Sequence, residues 1–342
     1  MTATSDPSHS AKRLRLSAIA VTGGIVCVGC GVFLLTYGSA FLTAGDLPAA
    51  LFGNPVTSDA AFVVQHLRLP RVLMGFAVGA ALGVAGAIMQ AITRNPLGDP
   101  SLTGVTGGAA AAVIFAFVLA NASVGSLMIW GTLGGLAGAA VTFALARQTN
   151  YSPVHLILAG MAVSLFCLAL IHAFILANSQ SLNSTYFWLI GNLANRTWED
   201  VSLVAPMVAI GLVAAMLFSN HLNILMLDED TARARGLAVG RWRLGFGFLS
   251  VVLTAGCVAT CGPITFIGLV APHVARQVLG IRGGAADHRI LLPVTALLGA
   301  AILSLTDTIA VSRMLGSEVP TGLLSILVGG AAFLILFKRR AM

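Results

Sequence analysis

Residues 68–109, RLPRVLMGFAVGAALGVAGAIMQAITRNPLGDPSLTGVTGGA, hold a run of apolar side chains that is long enough to cross a lipid bilayer. The predicted span begins two residues before this string and extends over 66–92, and a membrane-spanning helix needs about 20 predominantly apolar residues. Its glycines are small enough to let neighbouring membrane helices approach closely. The Pro- and Gly-rich string that follows, 94–100, predicts a rigid loop on the inner side rather than a substrate site.

The composition of the whole chain agrees with a membrane protein. Of its 342 residues 57% are hydrophobic and only 9% are charged, with a mean hydropathy of +0.93, whereas soluble domains carry about 25% charged residues. Lipid must therefore be the solvent for most of the chain. The net charge of +7 does not indicate nucleic-acid binding, because no basic patch with interleaved aromatics is present. In a membrane protein an excess of Lys and Arg reports topology.

Apolar runs predict an all-α membrane protein of ten spans, with both termini in the cytoplasm. A cytoplasmic tail, 1–15, precedes one transmembrane domain, 16–340. The first run is too long for a signal peptide, so we expect an uncleaved helix. The predicted spans are 16–40, 66–92, 103–121, 125–146, 153–177, 199–219, 243–261, 264–281, 290–313 and 320–337.

The distribution of basic residues supports ten spans. With the N-terminus inside, only four of the 19 basic residues fall on the outer side, namely Arg68, Arg71, Arg196 and Arg313. The other 15 fall on the cytoplasmic side, as the positive-inside rule expects. With an odd number of spans, the basic residues would no longer be concentrated on the cytoplasmic side.

Two connecting segments are richer in polar residues than ordinary loops. Segment 221–243 is the longest charged stretch on the inner side. It has acidic residues where a helix would begin, basic residues where it would end, and Gly236 as a stop, so it predicts a short amphipathic surface helix. A solvated loop is the alternative. On the outer side, 178–200 carries Tyr186, Trp188 and Trp198, and such aromatics favour the membrane–water interface.

The chain lacks the residue patterns of an enzyme or a metal protein. It contains no HExxH, GxSxG or paired-carboxylate site, and His155 and His172 are better explained by packing. The five cysteines lie in or beside apolar runs without zinc-site spacing, so we predict no metal site. Lys12 and Lys338 are the only lysines, and neither follows a phosphate-binding loop. ATP, if it drives this protein, must be bound by another chain.

Several strings resemble the permease family that imports ferric siderophores, haem and cobalamin. These are 68–109, CGPITFIGLVAPHVARQVLG (261–280), DHRILLPVTALLGA (287–300), EVPTGLLSILVGG (318–330) and DEDTARARGLAVGR (228–241). They occur in the family's order and spacing from Arg68 almost to the end of the chain. Ferric-citrate and ferric-siderophore permeases are the most similar branch, through the Cys-Gly-Pro that begins the second string.

The resemblance implies a type II ABC importer with ten helices in each permease subunit. The expected function is translocation of an iron chelate, a ferric siderophore or ferric citrate, across the cytoplasmic membrane. The expected partners are a second permease subunit, identical or paralogous, two ATPase subunits and a periplasmic or lipid-anchored substrate-binding protein. ATP and Mg²⁺ would be held by the ATPase, and this chain would bind no cofactor and would not itself be an enzyme.

The resemblance also assigns roles to residues. On the outer face, Arg68, Arg71 and Glu318 would dock the binding protein, while a third family arginine aligns with Val311, which puts a docking role for the nearby Arg313 in doubt. On the inner face, the ATPase would contact the segment formed by Asp228, Glu229, Asp230, Thr231, Ala232, Arg233, Arg235 and Gly236. The pathway would be lined by small residues of the fifth and tenth helices, Ala159, Gly160, Ser164 and Gly329. Gly262 and Pro263 would break the backbone between the seventh and eighth helices.

Three other functions compete with that of a permease. An ion-coupled transporter needs ionisable groups at mid-membrane, and Asp307 is the only carboxylate within the predicted spans that could serve. An integral-membrane enzyme lacks a site, and a passive scaffold does not explain the charged segment. Haem and cobalamin remain alternative cargoes, because permeases for them share the same strings.

Overall fold

The computed structural model of the chain describes residues 7–37, 45–52, 59–120, 124–147, 153–177, 188–281, 286–312 and 319–341. These residues are helical or irregular, with no β-strand among them. The helices are α1 (Pro7–Thr36), α2 (Leu47–Phe52), α3 (Asp59–Phe62), a π-helix (Val63–Arg68), α4 (Leu69–Thr93), a 3₁₀ turn (Pro100–Thr103), α5 (Val105–Ala120), α6 (Val124–Arg147), α7 (Pro153–Ala177), α8 (Trp198–Leu217), α9 (Ser219–Leu225), α10 (Glu229–Ala234), α11 (Val239–Cys261), α12 (Ile267–Val278), α13 (His288–Val311) and α14 (Thr321–Ala341).

The all-α prediction is confirmed, and each of the ten predicted spans coincides with a helix. Seven of these helices are long and apolar enough to cross a membrane, counted over the described residues. The main difference is α12, which lies in the predicted span 264–281. It has only 12 residues, about 18 Å of helix, against a hydrocarbon core about 30 Å thick. The helix α12 therefore cannot cross the membrane alone, and α1 starts earlier than predicted, inside the tail 1–15.

Helix α4 is the centre of the bundle. It packs most extensively against α13 and also contacts α11, α12 and α8, and nearly every residue from Val78 to Thr93 is buried. Its glycines make these contacts possible. A Cβ built on Gly79 would lie 2.5 Å from the backbone oxygen of Gly299 on α13, which is closer than any side chain allows. The small-residue pattern of the sequence thus sets how near the helices approach.

The outer end of α4 is preceded by a π-helix, in which Pro70 leaves one carbonyl group without a backbone donor. In the π register each N–H bonds the carbonyl five residues earlier, as the Leu69 N–H does with Val64. Pro70 has no N–H, which leaves the Gln65 carbonyl without its backbone donor. The indole Nε1 of Trp198 donates to that carbonyl at 2.9 Å. The start of α8 is thereby tied to the outer end of α4.

The backbone between α11 and α12 is irregular and is covered by another part of the chain. Helix α11 ends at Cys261, and Gly262 adopts φ +71°. A Cβ at Gly262 would collide with the Trp188 carbonyl, and the Asn192 N–H donates to the Cys261 carbonyl at 2.8 Å. The break thus satisfies the rule that non-helical backbone at membrane depth is buried in protein.

Candidate coupling and docking sites

The middle of the charged segment 221–243 forms the short helix α10, with a cap at each end, between the end of α9 and the start of α11. The Asp228 side chain accepts from the Thr231 N–H at 2.9 Å, and this bond lowers the pKa of the Asp228 carboxyl. At the other end Gly236 has φ +78°, its N–H donates to Arg233, and the next N–H, of Leu237, donates to Ala232. That pair of bonds is a Schellman stop. Ala232 is fully buried, whereas Asp230 and Arg235 are exposed.

Glu229 forms one ion pair within α10 and a second with α11. Arg233 Nη2 lies 2.7 Å from Glu229 Oε1, one helical turn away, in a stabilising i,i+4 arrangement. The other Glu229 oxygen is 3.9 Å from Nη1 of Arg243 on α11. Both Arg233 and Glu229 are substantially exposed, so the pair contributes little stability and chiefly orients the helix.

Hydrogen bonds made by two side chains, Arg94 and Asn223, attach the segment before α10 to the transmembrane helices. Arg94, the C-cap of α4, donates from Nε to the Leu225 carbonyl at 3.0 Å. Asn223 on α9 donates to Asp287 Oδ1 at 2.8 Å and accepts from the His288 N–H at 2.8 Å. Because Asp287 caps α13, these bonds link the α9–α10 segment to the inner ends of both α4 and α13.

The outer arginines Arg68 and Arg71 are both bonded within the chain. Arg71 forms a bidentate salt bridge with Asp307 on α13, with both N–O distances at 2.8 Å. Arg68 donates to the Leu35 carbonyl at 2.8 Å. The Arg71 and Asp307 side chains are 13% and 1% exposed, and Arg68 is 9% exposed. Both guanidinium groups are thus bonded to other parts of the chain, and a docking role for either arginine stays a prediction. Glu318 and Arg313 lie outside the described residues.

Asp307 is an ionisable residue within a predicted span, but the sequence did not identify its partner. Besides Arg71, it accepts a hydrogen bond from Thr321 Oγ1 at 2.6 Å. Thr321 begins α14, so one carboxylate joins α4, α13 and α14. The signal was present, because an acid within a membrane helix needs a basic partner, and Arg71 was predicted on the same side.

The predicted pathway residues belong to two separate parts of the chain. Ala159, Gly160 and Ser164 lie on α7, which packs on α5 and α6, whereas Gly329 lies on α14, which packs on α13 and α12. Gly329 is covered, since a Cβ there would clash with the Phe266 side chain. Phe266 itself holds φ +68°, a strained conformation for a bulky residue. A pathway role for these four residues stays a prediction.

Comparison with known proteins gives a consistent assignment. The profile of the FecCD transport family matches residues 25–339. The Fe(3+)-citrate import system permease protein YfmD of Bacillus subtilis is 34% identical over 97% of this chain and 98% of its own length. The Fe(3+)-citrate import system permease protein YfmE of the same organism is 31% identical over 96% of this chain and 95% of its own length. A structure described as an inward-facing conformation of a putative metal-chelate type ABC transporter superposes with a TM-score of 0.80 at 30% identity, covering 94% of this chain and 99% of that one.

These matches extend over nearly the whole chain, including all ten predicted spans except the start of the first. They agree with the all-helical bundle and with a multi-pass protein of the cytoplasmic membrane that acts as a transporter permease subunit. The chain belongs to the FecCD transport family.

Proposed function

We propose that this chain carries a ferric chelate into the cell as one half of the translocation unit of an ATP-driven importer. The observation that carries the proposal is the attachment of the α9–α10 segment. Its hydrogen bonds to the inner ends of α4 and α13 suit a segment that passes movement from a cytoplasmic partner to the bundle. The names of YfmD and YfmE as Fe(3+)-citrate import proteins support a ferric chelate as the cargo.

The cytoplasmic partner in this proposal is a pair of ATPase subunits, which bind ATP and Mg²⁺. The sequence contains no phosphate-binding loop of its own. The exposed side chains of Asp230 and Arg235 on α10 supply both signs of charge for a specific contact, and complementary charge mainly fixes orientation and association rate.

The remaining partners are a second permease subunit and an outer substrate-binding protein. YfmD and YfmE are two permease proteins named for one kind of import system, which supports a paired arrangement. Helices α7 and α14 present apolar faces, with Leu165 63% and Leu327 59% exposed. Faces of this kind suit lipid or a second subunit, and the pathway would then form between the two subunits.

Reconstitution tests the proposal directly. The purified permease, with its ATPase and binding protein, is placed in proteoliposomes, and uptake of iron-55 citrate is followed with and without ATP. We expect uptake only with ATP and with the ATPase present. Uptake at the same rate without the ATPase, driven by a proton gradient, would show that the protein is an ion-coupled transporter instead.

The role of α10 has its own test within that system. Arg233 and Arg235 are replaced together by glutamate, and Arg241, an exposed arginine outside α10, is replaced alone as a control. We expect loss of ATPase copurification or of coupled uptake in the first variant only. Normal copurification and uptake in the double variant would reduce α10 to a solvated surface helix.

A further inference from the structure

A cavity of about 370 Å³ lies under α10, where the inner ends of four membrane helices meet. Its walls come from the last turn of α4, the C-terminal part of α6, the first turn of α7 and the first two turns of α11. The positive-inside distribution places all of these helix ends at the cytoplasmic leaflet. The cavity is therefore at the depth of lipid headgroups.

The walls of the cavity are of two chemical kinds. One wall is apolar and is formed by Ile92, Phe143, Leu156 and Leu244. The other carries Glu229, Arg233 and Arg243. Leu244 is 51% exposed on the helix that also bears Arg243, so the apolar wall continues towards the membrane. A ligand that fits both walls must be amphiphilic.

The charge of Arg243 is incompletely balanced by the protein. Its side chain is only 21% exposed, and the nearest carboxylate oxygen, Glu229 Oε2, is 3.9 Å away. The buried Nε of Arg243 has no hydrogen-bond acceptor among the described residues. The other Glu229 oxygen is held by Arg233, and Arg94 and Arg233 add like charge nearby. A guanidinium that is largely removed from water needs an anionic acceptor.

We propose that this cavity binds the phosphate of an anionic phospholipid of the inner leaflet, with Arg243 as its principal ligand. Arginine presents a planar fork that suits phosphate oxygens, and basic pockets between membrane helices on the cytoplasmic side bind lipid headgroups. The apolar wall covers the first part of the acyl chains. Because Glu229 and Arg233 belong to α10, the bound lipid also holds α10 against the bundle.

Lipid titration of the purified full chain in detergent tests the site, with the thermal unfolding midpoint as the readout. Phosphatidylglycerol is compared with phosphatidylcholine, which has a phosphate but no net charge, and with inorganic phosphate, which has no acyl chain. We expect a midpoint increase that saturates with phosphatidylglycerol alone. An equal increase with phosphatidylcholine, or one with inorganic phosphate, would overturn the proposal.

Two variants locate the effect. Arg243→Gln removes the principal ligand and should weaken the apparent affinity for phosphatidylglycerol about tenfold, the loss of one charge-assisted contact. Gly240→Leu fills the cavity without removing any charge, since nothing lies within 4 Å of a Cβ at Gly240, and should also abolish the response. Arg241→Gln and Gly245→Leu, outside the cavity walls, are the matched controls. A response that persists in Gly240→Leu would place the lipid elsewhere, even if Arg243→Gln does not fold.

Discussion

Arg71 on α4 and Asp307 on α13 form a paired, buried ion contact, with two N–O distances of 2.8 Å across 236 residues of sequence. Thr321 adds a third helix to the contact through its hydrogen bond to Asp307. The pair holds together the outer ends of three helices, among them α14, which the family resemblance assigns to the pathway. Breaking the contact should therefore affect both stability and movement.

Replacing one member of the pair should lower the free energy of unfolding more than replacing both. Arg71→Leu or Asp307→Leu leaves a buried charge without its partner, which costs about 3–5 kcal/mol where such pairs have been measured. The double variant Arg71→Leu/Asp307→Leu replaces the pair by apolar side chains and should recover much of that loss. Unfolding midpoints of the four proteins form a double-mutant cycle. Additive losses would mean that the two side chains do not interact energetically.

The left-handed conformation of Gly236 should make alanine costly there. A Cβ at Gly236 meets no atom within 4 Å, so the effect of Gly236→Ala is purely that of backbone conformation, about 1 kcal/mol. We expect faster hydrogen exchange over Glu229–Ala234 and weaker coupling of ATP hydrolysis to uptake. Gly245→Ala is the control, since its Cβ also meets nothing and its φ is ordinary. Equal exchange in both variants would contradict a capping role for Gly236.

Asp99 should give the protein a measurable pH dependence of stability. Burial raises the pKa of its carboxyl above the ordinary value of 3.8, although the hydrogen bond from Ser101 opposes the shift. Well below pH 3.8 the group is protonated in both folded and unfolded chains. As pH rises, the unfolded chain ionises first, so Asp99 increasingly disfavours the folded state until its own raised pKa is passed.

Replacement by asparagine tests this expectation, because the amide oxygen of the new side chain would still accept from the Ser101 N–H. We expect Asp99→Asn to unfold at a higher temperature than the unmodified chain at neutral pH, and the difference to vanish in acid. Asp99→Ala, which also loses the 2.7 Å bond to Ser101, should be less stable than Asp99→Asn at every pH. A constant difference between Asp99→Asn and the unmodified chain across the pH range would exclude a shifted carboxyl.

Local chemistry explains why some parts of this fold were predictable and others were not. The charges and Gly236 that bound α10 act within one or two turns, so the sequence sufficed to place that helix. The partner of Arg71 could not be predicted in the same way, because Asp307 meets it only when α4 and α13 pack. The irregular segment before α12 was indicated by Gly262 and Pro263, whereas the left-handed Phe266 lies against Gly329 of α14, a contact that the local sequence does not reveal. The features that the sequence did not predict are those that depend on contacts between distant segments of the chain.

Asn223 should be needed to transmit movement between α10 and α13. Its side-chain amide donates to Asp287 at the inner end of α13. Its Oδ1 accepts from the His288 N–H and also lies 2.8 Å from His288 Nδ1. Asn223→Ala removes all three contacts, each of which is worth about 1 kcal/mol. If the proposed function holds, the ATPase should still bind, because α10 and its caps remain intact. ATP should then be hydrolysed with less chelate transported for each ATP.

The measurement is the ratio of iron taken up to ATP hydrolysed in proteoliposomes, beside copurification of the ATPase. Asn220→Ala is the matched control, since Asn220 lies on the same short helix and is exposed. A lower ratio in Asn223→Ala alone identifies the α9–α13 contact as the element that carries movement to the bundle. An unchanged ratio with normal ATPase binding would assign that role to the remaining attachments, the Arg94–Leu225 bond and the chain connection into α11.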